Sequence, residues 1–195
     1  MILPLEPRTE VMEFLLSRRS RPAKTLRAPY PDSDDLGPIL EAAGRSPDHG
    51  KLEPWRFLVL NKAALTRLSQ AVRRRGEVLG LDASDVEKAA HAYQDSGCAA
   101  VVIASPVISE KIPEIEQAYS AGAVCLALLN AALASGWGAN WLSGWPSHDR
   151  IFVEAELGLT PSESVAGIIH IGTEGAVPPE RPRPDISAKT KWIDE

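Results

Sequence analysis

From Pro113 to Ser135 the chain places small residues all round a helical pattern: Ala118, Gly122, Ala123, Ala127, Ala131 and Ala132. A helix whose apolar positions run over more than one face has to be covered on more than one side. So many small residues permit close packing on more than one side. At 195 residues and 44% hydrophobic residues, the chain suits one compact domain spanning 1–195. A chain of this size buries roughly 70% of its unfolded surface, so it needs no disulfide or metal to hold it together. The most apolar stretch, Ala121 to Leu142, is broken by Asn130, Ser135, Gly136, Gly138 and Asn140. That is too interrupted for a membrane span.

Other elements follow from caps and periodicity. Thr9 is placed to cap a first helix to about Arg19, with Val11, Phe14 and Leu15 as its apolar stripe. Asp32 or Ser33 opens a second helix, with Leu36, Ile39, Leu40 and Ala43 on one face, which Gly44 and Pro47 end. Arg56–Leu60 reads as a buried strand, and Leu65, Leu68 and Val72 mark the helix after it. Ser84 and Glu87 fit a capping box for a helix to about Gln94, and Cys98–Ala104 is a second strand. Ala139–Leu142 is a short strand, Ser147 caps a helix that Gly158 ends, and Ser164–Ile171 is the last strand. Residues 176–195 form a tail, Pro-rich and extended from Ala176 to Pro184. The alternation of strands and helices, taken alone, predicts a parallel α/β sheet.

Several functions lose ground. A net charge of -5 argues against a nucleic-acid-binding face, although Arg18–Arg21 and Arg73–Arg75 are local basic clusters that suit a small anion. Cys98 and Cys125 lie inside apolar runs with no disulfide or zinc spacing, as reduced thiols in a cytoplasmic protein would. Met1–Arg8 lacks the pattern of a signal peptide. There is no phosphate-binding GxxxxGK loop. Gly136–Trp141 begins like a dinucleotide fingerprint, but it precedes a strand and carries Trp141 where the last glycine belongs. His49, His91, His148 and His170 show no metal-ligand spacing, so no metal is expected. No G-x-S-x-G elbow is present, and neither cysteine has an evident histidine partner.

Three segments remain. Arg18-Arg19-Ser20-Arg21 offers three guanidiniums and a hydroxyl, a set able to grip a phosphate; it also reads as a solvated basic helix end. Ser46–Arg56 holds His49, Lys51, Glu53 and Trp55 in a loop stiffened by Pro47 and Pro54, either aimed at a ligand or serving as a polar connection. Asn140–Pro146 ends a strand with Trp141, Ser143, Gly144 and Trp145, suited to a planar ring or to a tight core turn.

The ordered set of RRS (Arg18–Ser20), SPDHGKLEPW (Ser46–Trp55) and GANWLSG (Gly138–Gly144) after a long Ala-rich helix resembles the FMN-dependent nitroreductase family. It is closest to the short, single-domain NAD(P)H nitroreductase subgroup. The resemblance runs from about Glu10 to Pro184. It implies an α+β fold with a mixed central sheet flanked by helices, in an interlocked homodimer with FMN at the interface. On matching positions, Arg18, Arg19 and Ser20 hold the phosphate and ribityl end. His49 and Glu53 reach FMN across the dimer, and Trp141, Leu142 and Ser143 line the flavin. Arg183 in the tail is a further phosphate contact, with Arg181 its alternative. Glu53 departs from the family, which is expected to have glutamine there, so this side chain accepts but cannot donate.

The implied activity is hydride transfer from NAD(P)H through the flavin to a small-molecule acceptor, a nitroaromatic, quinone or unsaturated metabolite, with ping-pong kinetics. No side chain need act as acid or base, so no catalytic residue is assigned. The alternatives are a flavin-binding sensor or carrier without turnover, and a specialised member that destroys flavin or dehalogenates. The chain is expected to be a cytoplasmic flavoprotein oxidoreductase with no membrane or nucleic-acid partner.

Overall fold

A computed structural model describes residues 4–193, so the ends of the chain, including positions 194–195 of the expected tail, lie outside the described residues. Helix α1 spans Thr9–Ser17. The expected Thr9 cap does not form. Thr9 is itself helical, Arg8 stands at the cap position without a side-chain bond, and the helix stops at Arg18, where the backbone turns extended. Helix α2 (Ser33–Ala43) starts as expected: the Asp32 carboxylate accepts from Asp34 and Asp35 N–H, and Asp35 answers on the Asp32 N–H. Helix α3 (Lys62–Leu79) is capped by Asn61 and closed by left-handed Gly80.

Two further caps fall on neighbours of the expected residues. Helix α4 (Ala83–Gln94) is capped by Asp82, which accepts from both Ser84 N–H and Ser84 Oγ. Helix α6 (Arg150–Leu157) is capped by Asp149, while Ser147 sits in a short 3-10 turn before it. In both cases a carboxylate within reach outcompetes a hydroxyl for the free N–H groups. Helix α5 is Glu114–Ala134, directly after Pro113, and Gly158 ends α6 with a left-handed turn. The strands are β1 (Leu26–Arg27), β2 (Trp55–Asn61), β3 (Cys98–Ala104), β4 (Gly138–Leu142) and β5 (Ser164–Glu174).

The five strands form one sheet in which β5 is the hub. It pairs with β3, β4 and β1, and β2 pairs with β3. His170 lies opposite Ala99 of β3 and Asn140 of β4, so these two strands flank β5 on opposite edges. Each of these pairings is antiparallel, and the parallel sheet suggested by the strand-helix alternation is not formed. The reason is in the connections. Between β2 and β3 the chain makes a two-helix hairpin, α3–α4, which returns it to the end it left. The crossover through α5 does carry β3 to β4 in the same direction, but β5 inserts between them. The α+β class, with a central sheet flanked by helices on both faces, stands.

Side chains alternate across the sheet and build two cores. One face packs Val101, Ile103 and Ile168 against Leu65, Leu68 and Val72 of α3 and Phe152 of α6. The other packs Ala100, Val102, Ile169 and Ile171 against Leu36 and Ile39 of α2 and Val124, Leu128 and Leu129 of α5. Each fully buried leucine or isoleucine contributes roughly 1.5–3 kcal/mol. By length and apolarity α5 could cross a membrane, but one of its faces is occupied by the sheet. Its opposite face exposes Ile115, Tyr119 and Leu126, and α1 buries no residue at all while exposing Val11, Met12, Leu15 and Leu16.

Ion pairs stitch the helices together. Arg73 holds Glu87 of α4 at 2.8 and 2.9 Å, and Arg75 holds Asp149 at 2.9 Å through both nitrogens. Arg74 lies 3.9 Å from Glu156. Arg73 and Arg75 are thus committed to carboxylates of the chain, while Arg74 remains largely exposed. Across the end of the sheet, Arg56 grips Glu163 at 2.6 and 2.9 Å, and Thr160 N–H adds a third bond at 2.9 Å. The Arg56 hydrogen bonds pull the Glu163 carboxyl down from 4.5 to about 2, against the effect of burial.

A carboxyl depressed in the folded state stabilises it above its ordinary pKa and loses that effect as pH falls through the depressed value. The Glu163 contribution is therefore full above about pH 4.5 and fades toward pH 2. Glu163→Gln should cost about 2 kcal/mol at neutral pH. In chemical denaturation, the gap between wild type and variant should narrow at pH ~3; a gap independent of pH would refute this account.

Candidate functional site

After α1 the chain runs extended along the outer edge of β4, where Arg21 N–H donates to Ala139 O at 2.8 Å. This anchor sets Arg18, Arg19 and Ser20 against the tail. Together with Arg181, Pro182, Arg183 and Pro184 they enclose an open cleft of about 590 Å³. Within it Arg18 Nη2 donates to Ser20 Oγ at 3.1 Å, and Arg21 bonds Glu174 and the Arg19 carbonyl. Glu180 stands between two arginines, 3.0 Å from Arg183 Nη2 and 3.5 Å from Arg19 Nη1.

The donors in this cleft outnumber their acceptors. Arg18 Nε and Arg19 Nη1 are buried and make no hydrogen bond among the described residues; the Glu180 contact of Arg19 has the range of an ion pair without hydrogen-bond geometry. Burial lowers the Arg18 pKa, and the charges of Arg183, Arg19 and Arg21 lower it further. A guanidinium stays protonated all the same. The site therefore holds crowded positive charge and unspent donors, the arrangement that takes a dianionic phosphate. The expected set Arg18, Arg19, Ser20 and Arg183 is brought together here, and Arg181 joins it. Glu180 was not foreseen, since nothing near it in sequence marks it as a partner of Arg19.

At the end of β4, Trp141 lies opposite Ile169, on the α5 side of the sheet. Its indole covers Gly167: a Cβ there would stand 2.1 Å from Trp141 Nε1. The ring is still 37% exposed. Leu142 points to the other face, opposite Ile168. Ser143 is exposed, with its Oγ 3.2 Å from His148 Nε2. The strand end thus shows a flat indole, a hydroxyl and an extended glycine, Gly144, to solvent.

His49 and Glu53 stand elsewhere. Gly50, Lys51 and Glu53 all have positive φ (74°, 56° and 48°), a strained path for the two non-glycine residues. The path is held by Asp48, which accepts from Glu53 N–H at 2.6 Å, and by contact with Ile112 at Gly50. His49 Nδ1 lies 2.6 Å from Glu116 Oε2 at the start of α5. Among the described residues no hydrogen bond or ion pair joins this loop to the arginine cleft or to the end of β4. One chain therefore divides the expected residues into three groups: the arginine cleft, the end of β4, and the loop of His49 and Glu53. His49 and Glu53 are exposed beside the uncovered face of α5.

Over residues 15–173 the sequence matches the Nitroreductase family. The Escherichia coli K12 protein named "Putative NAD(P)H nitroreductase YdjA" is 32% identical over 164 residues, 84% of this chain and 88% of that protein. A solved nitroreductase-like family protein from Bacillus cereus shares the fold with a TM-score of 0.76 at 21% identity, covering 98% of this chain and 100% of that one. A Bacteroides fragilis nitroreductase solved with bound FMN does so with a TM-score of 0.74 at 23% identity, covering 95% and 99%.

The Trp141–Gly167 contact is directly testable. Gly167→Ala should drive the indole off the strand, at a cost of ~1–3 kcal/mol. Tryptophan emission should shift to the red, and the shift should vanish in a Trp141→Phe background. Unchanged emission and stability would mean that the indole does not rest on Gly167.

Proposed function

Because the chain belongs to the nitroreductase family, we propose that it is an FMN-dependent oxidoreductase that takes reducing equivalents from NAD(P)H and passes them to a small-molecule acceptor. The observation that carries this reading is the buried, unbonded Arg18 Nε among crowded guanidiniums, with Arg19 Nη1 met only by Glu180 at ion-pair range. Buried charged donors without acceptors are costly, and the terminal phosphate of FMN is an acceptor of the right charge. The FMN bound to the B. fragilis protein and the NAD(P)H in the name of the E. coli relative support the choice of cofactor and reductant.

Arg18, Arg19, Ser20 and Arg183 hold the phosphate and ribityl end in this reading. Trp141, Leu142 and Ser143 line the ring. When bound, FMN supplies hydride acceptance and donation. The protein's part is to bind, orient and exclude water, and no side chain is assigned as acid or base. The acceptor class extends to nitroaromatics, quinones and unsaturated metabolites. The whole chain acts as one FMN-binding domain. Cys98 and Cys125, both free and buried, support a cytoplasmic home.

Purified protein given FMN should be yellow, and NADH or NADPH should bleach it without air. Yellow protein that never bleaches would be a flavin-binding module without turnover, and failure to take up FMN would sink the proposal. Arg18→Ala should weaken FMN roughly 10- to 100-fold, since a charge-assisted bond is worth about 1.5–3 kcal/mol. Wild-type affinity in the folded variant would remove Arg18 from the site.

The acting unit is a homodimer. Ile115, Tyr119 and Leu126 on α5 and the apolar face of α1 are exposed, and a second copy lying there buries them. It also carries its own His49 and Glu53 toward the flavin of the first. Sedimentation at micromolar concentration should show dimer; a stable monomer that keeps its FMN would contradict the shared site.

A further inference from the structure

Beneath the end of β4 lies a small, partly open pocket of about 40 Å³, whose lining includes Tyr93 of α4, Leu142, Ser143, Ser147 and His170 of β5. Most of its wall is apolar, from Ala89, Ala92, Leu142, Pro146 and Ile168, and the polar groups of Tyr93, Ser147 and His170 lie deep in it. His170 is 1% exposed and Ser147 5%; His170 Nδ1 lacks a hydrogen-bond partner among the described residues, and Ser147 Oγ has only the Tyr93 hydroxyl beside it, outside good hydrogen-bond geometry. Tyr93 is 4% exposed. Trp145 Nε1, in the same turn, is likewise buried and unbonded. Buried polar groups are almost always bonded to protein or to ordered water. A water needs roughly 10–15 Å³ of this kind of volume and two to four polar partners. The space holds about three water molecules on that measure, and His170, Ser147, Tyr93 and Ser143 supply the partners.

We propose that this is a water-binding chamber, and that the bound water ties His170 at the centre of the sheet to the turn 143–147. His170 would then be a positioning residue: fixed between Ala99 and Asn140, it holds the turn through water without touching the ligand. Burial keeps its imidazole neutral, with a pKa lowered to about 4, so Nδ1 remains available as donor or acceptor across the working pH range. A neutral histidine suits an internal water network because its two nitrogens bond in opposite senses. An aliphatic side chain of similar size would leave Ser147 Oγ and the tyrosine hydroxyl without a relay.

The consequence for function rests on the reading that this turn faces FMN. A crystal structure of the protein at a resolution that shows ordered water should reveal density within about 2.6–3.2 Å of His170 Nδ1 and Ser147 Oγ; a dry chamber overturns the proposal. Ser147→Ala and His170→Leu should each raise the FMN dissociation constant roughly fivefold, the loss of about one hydrogen bond. Both should alter the visible circular dichroism of the bound flavin, and His170→Gln should restore it. A merely structural role would lower thermal stability and leave the flavin signal alone. Wild-type dichroism and affinity in folded Ser147→Ala overturn the tie even if His170→Leu fails to fold. Protein that takes up no FMN defeats the cofactor reading and the tie with it, whereas the density alone decides the water site.

Discussion

Strand β5 has to be hydrogen-bonded along both edges and covered on both faces, and the rest of the molecule follows from meeting that demand. Its edges are met by β3 and β4, which run the same way because α5 carries the chain from one to the other. Its faces are met by α2 and α5 on one side and by α3 and α6 on the other. Once α5 lies over the sheet, β4 must be the strand beyond β5. Its free edge is where the segment after α1 is anchored, through Arg21 and Ala139. The arginine cleft is thus a by-product of sheet order. No local motif makes it; the hydrogen-bond ladder does.

That dependence also explains how four arginines can be crowded together. Left to repel in water, Arg18, Arg19, Arg21 and Arg183 would separate. The backbone bond at Arg21, the Arg21–Glu174 pair and the extended conformation at Arg18 hold them near one another. The fold bears an electrostatic cost that a bound anion would reverse, and local strain or repulsion of this kind concentrates at functional sites. The left-handed residues of the loop at Gly50–Glu53 have the same character. They are kept by the Asp48 bond and the contact with Ile112, not by any preference of lysine or glutamate.

What was legible in the sequence is what depends on neighbours in sequence. Cys98–Ala104 is an unbroken apolar run and forms a strand with those limits, because a strand buried on both faces cannot alternate. The Asp32 cap, the Gly44 and Gly158 stops and the Leu65–Leu68–Val72 face belong to the same class. The caps read at Ser84 and Ser147 failed at the level of competition: Asp82 and Asp149 were within reach and bond more strongly. Thr9 lost to no rival; the helix starts one residue earlier than a Thr9 cap needs, and Arg8 stands at the cap position with no side-chain bond. Sheet direction failed because periodicity cannot tell a single-helix crossover from the α3–α4 hairpin. At the site, Arg18, Arg19, Ser20 and Arg183 were named from resemblance, and their meeting in one cleft needed the fold. The Arg19–Glu180 pair and the small pocket at His170 were invisible, since each is made by residues far apart in the chain.

Glu180 gives the cleft a further property. It already neutralises part of the charge on Arg19 and Arg183 before any ligand arrives. On the proposed reading, an incoming phosphate would have to displace an internal competitor as well as shed its own water. Binding becomes an exchange of one anion for another, so the number of ion pairs changes less than the number of arginines suggests. Screening by salt weakens both sides of such an exchange. The grip of the cleft on its ligand should therefore decline more gently with ionic strength than that of four bare cations. The carboxylate on the tail acts as a counterweight, lowering the peak affinity and flattening its dependence on the medium.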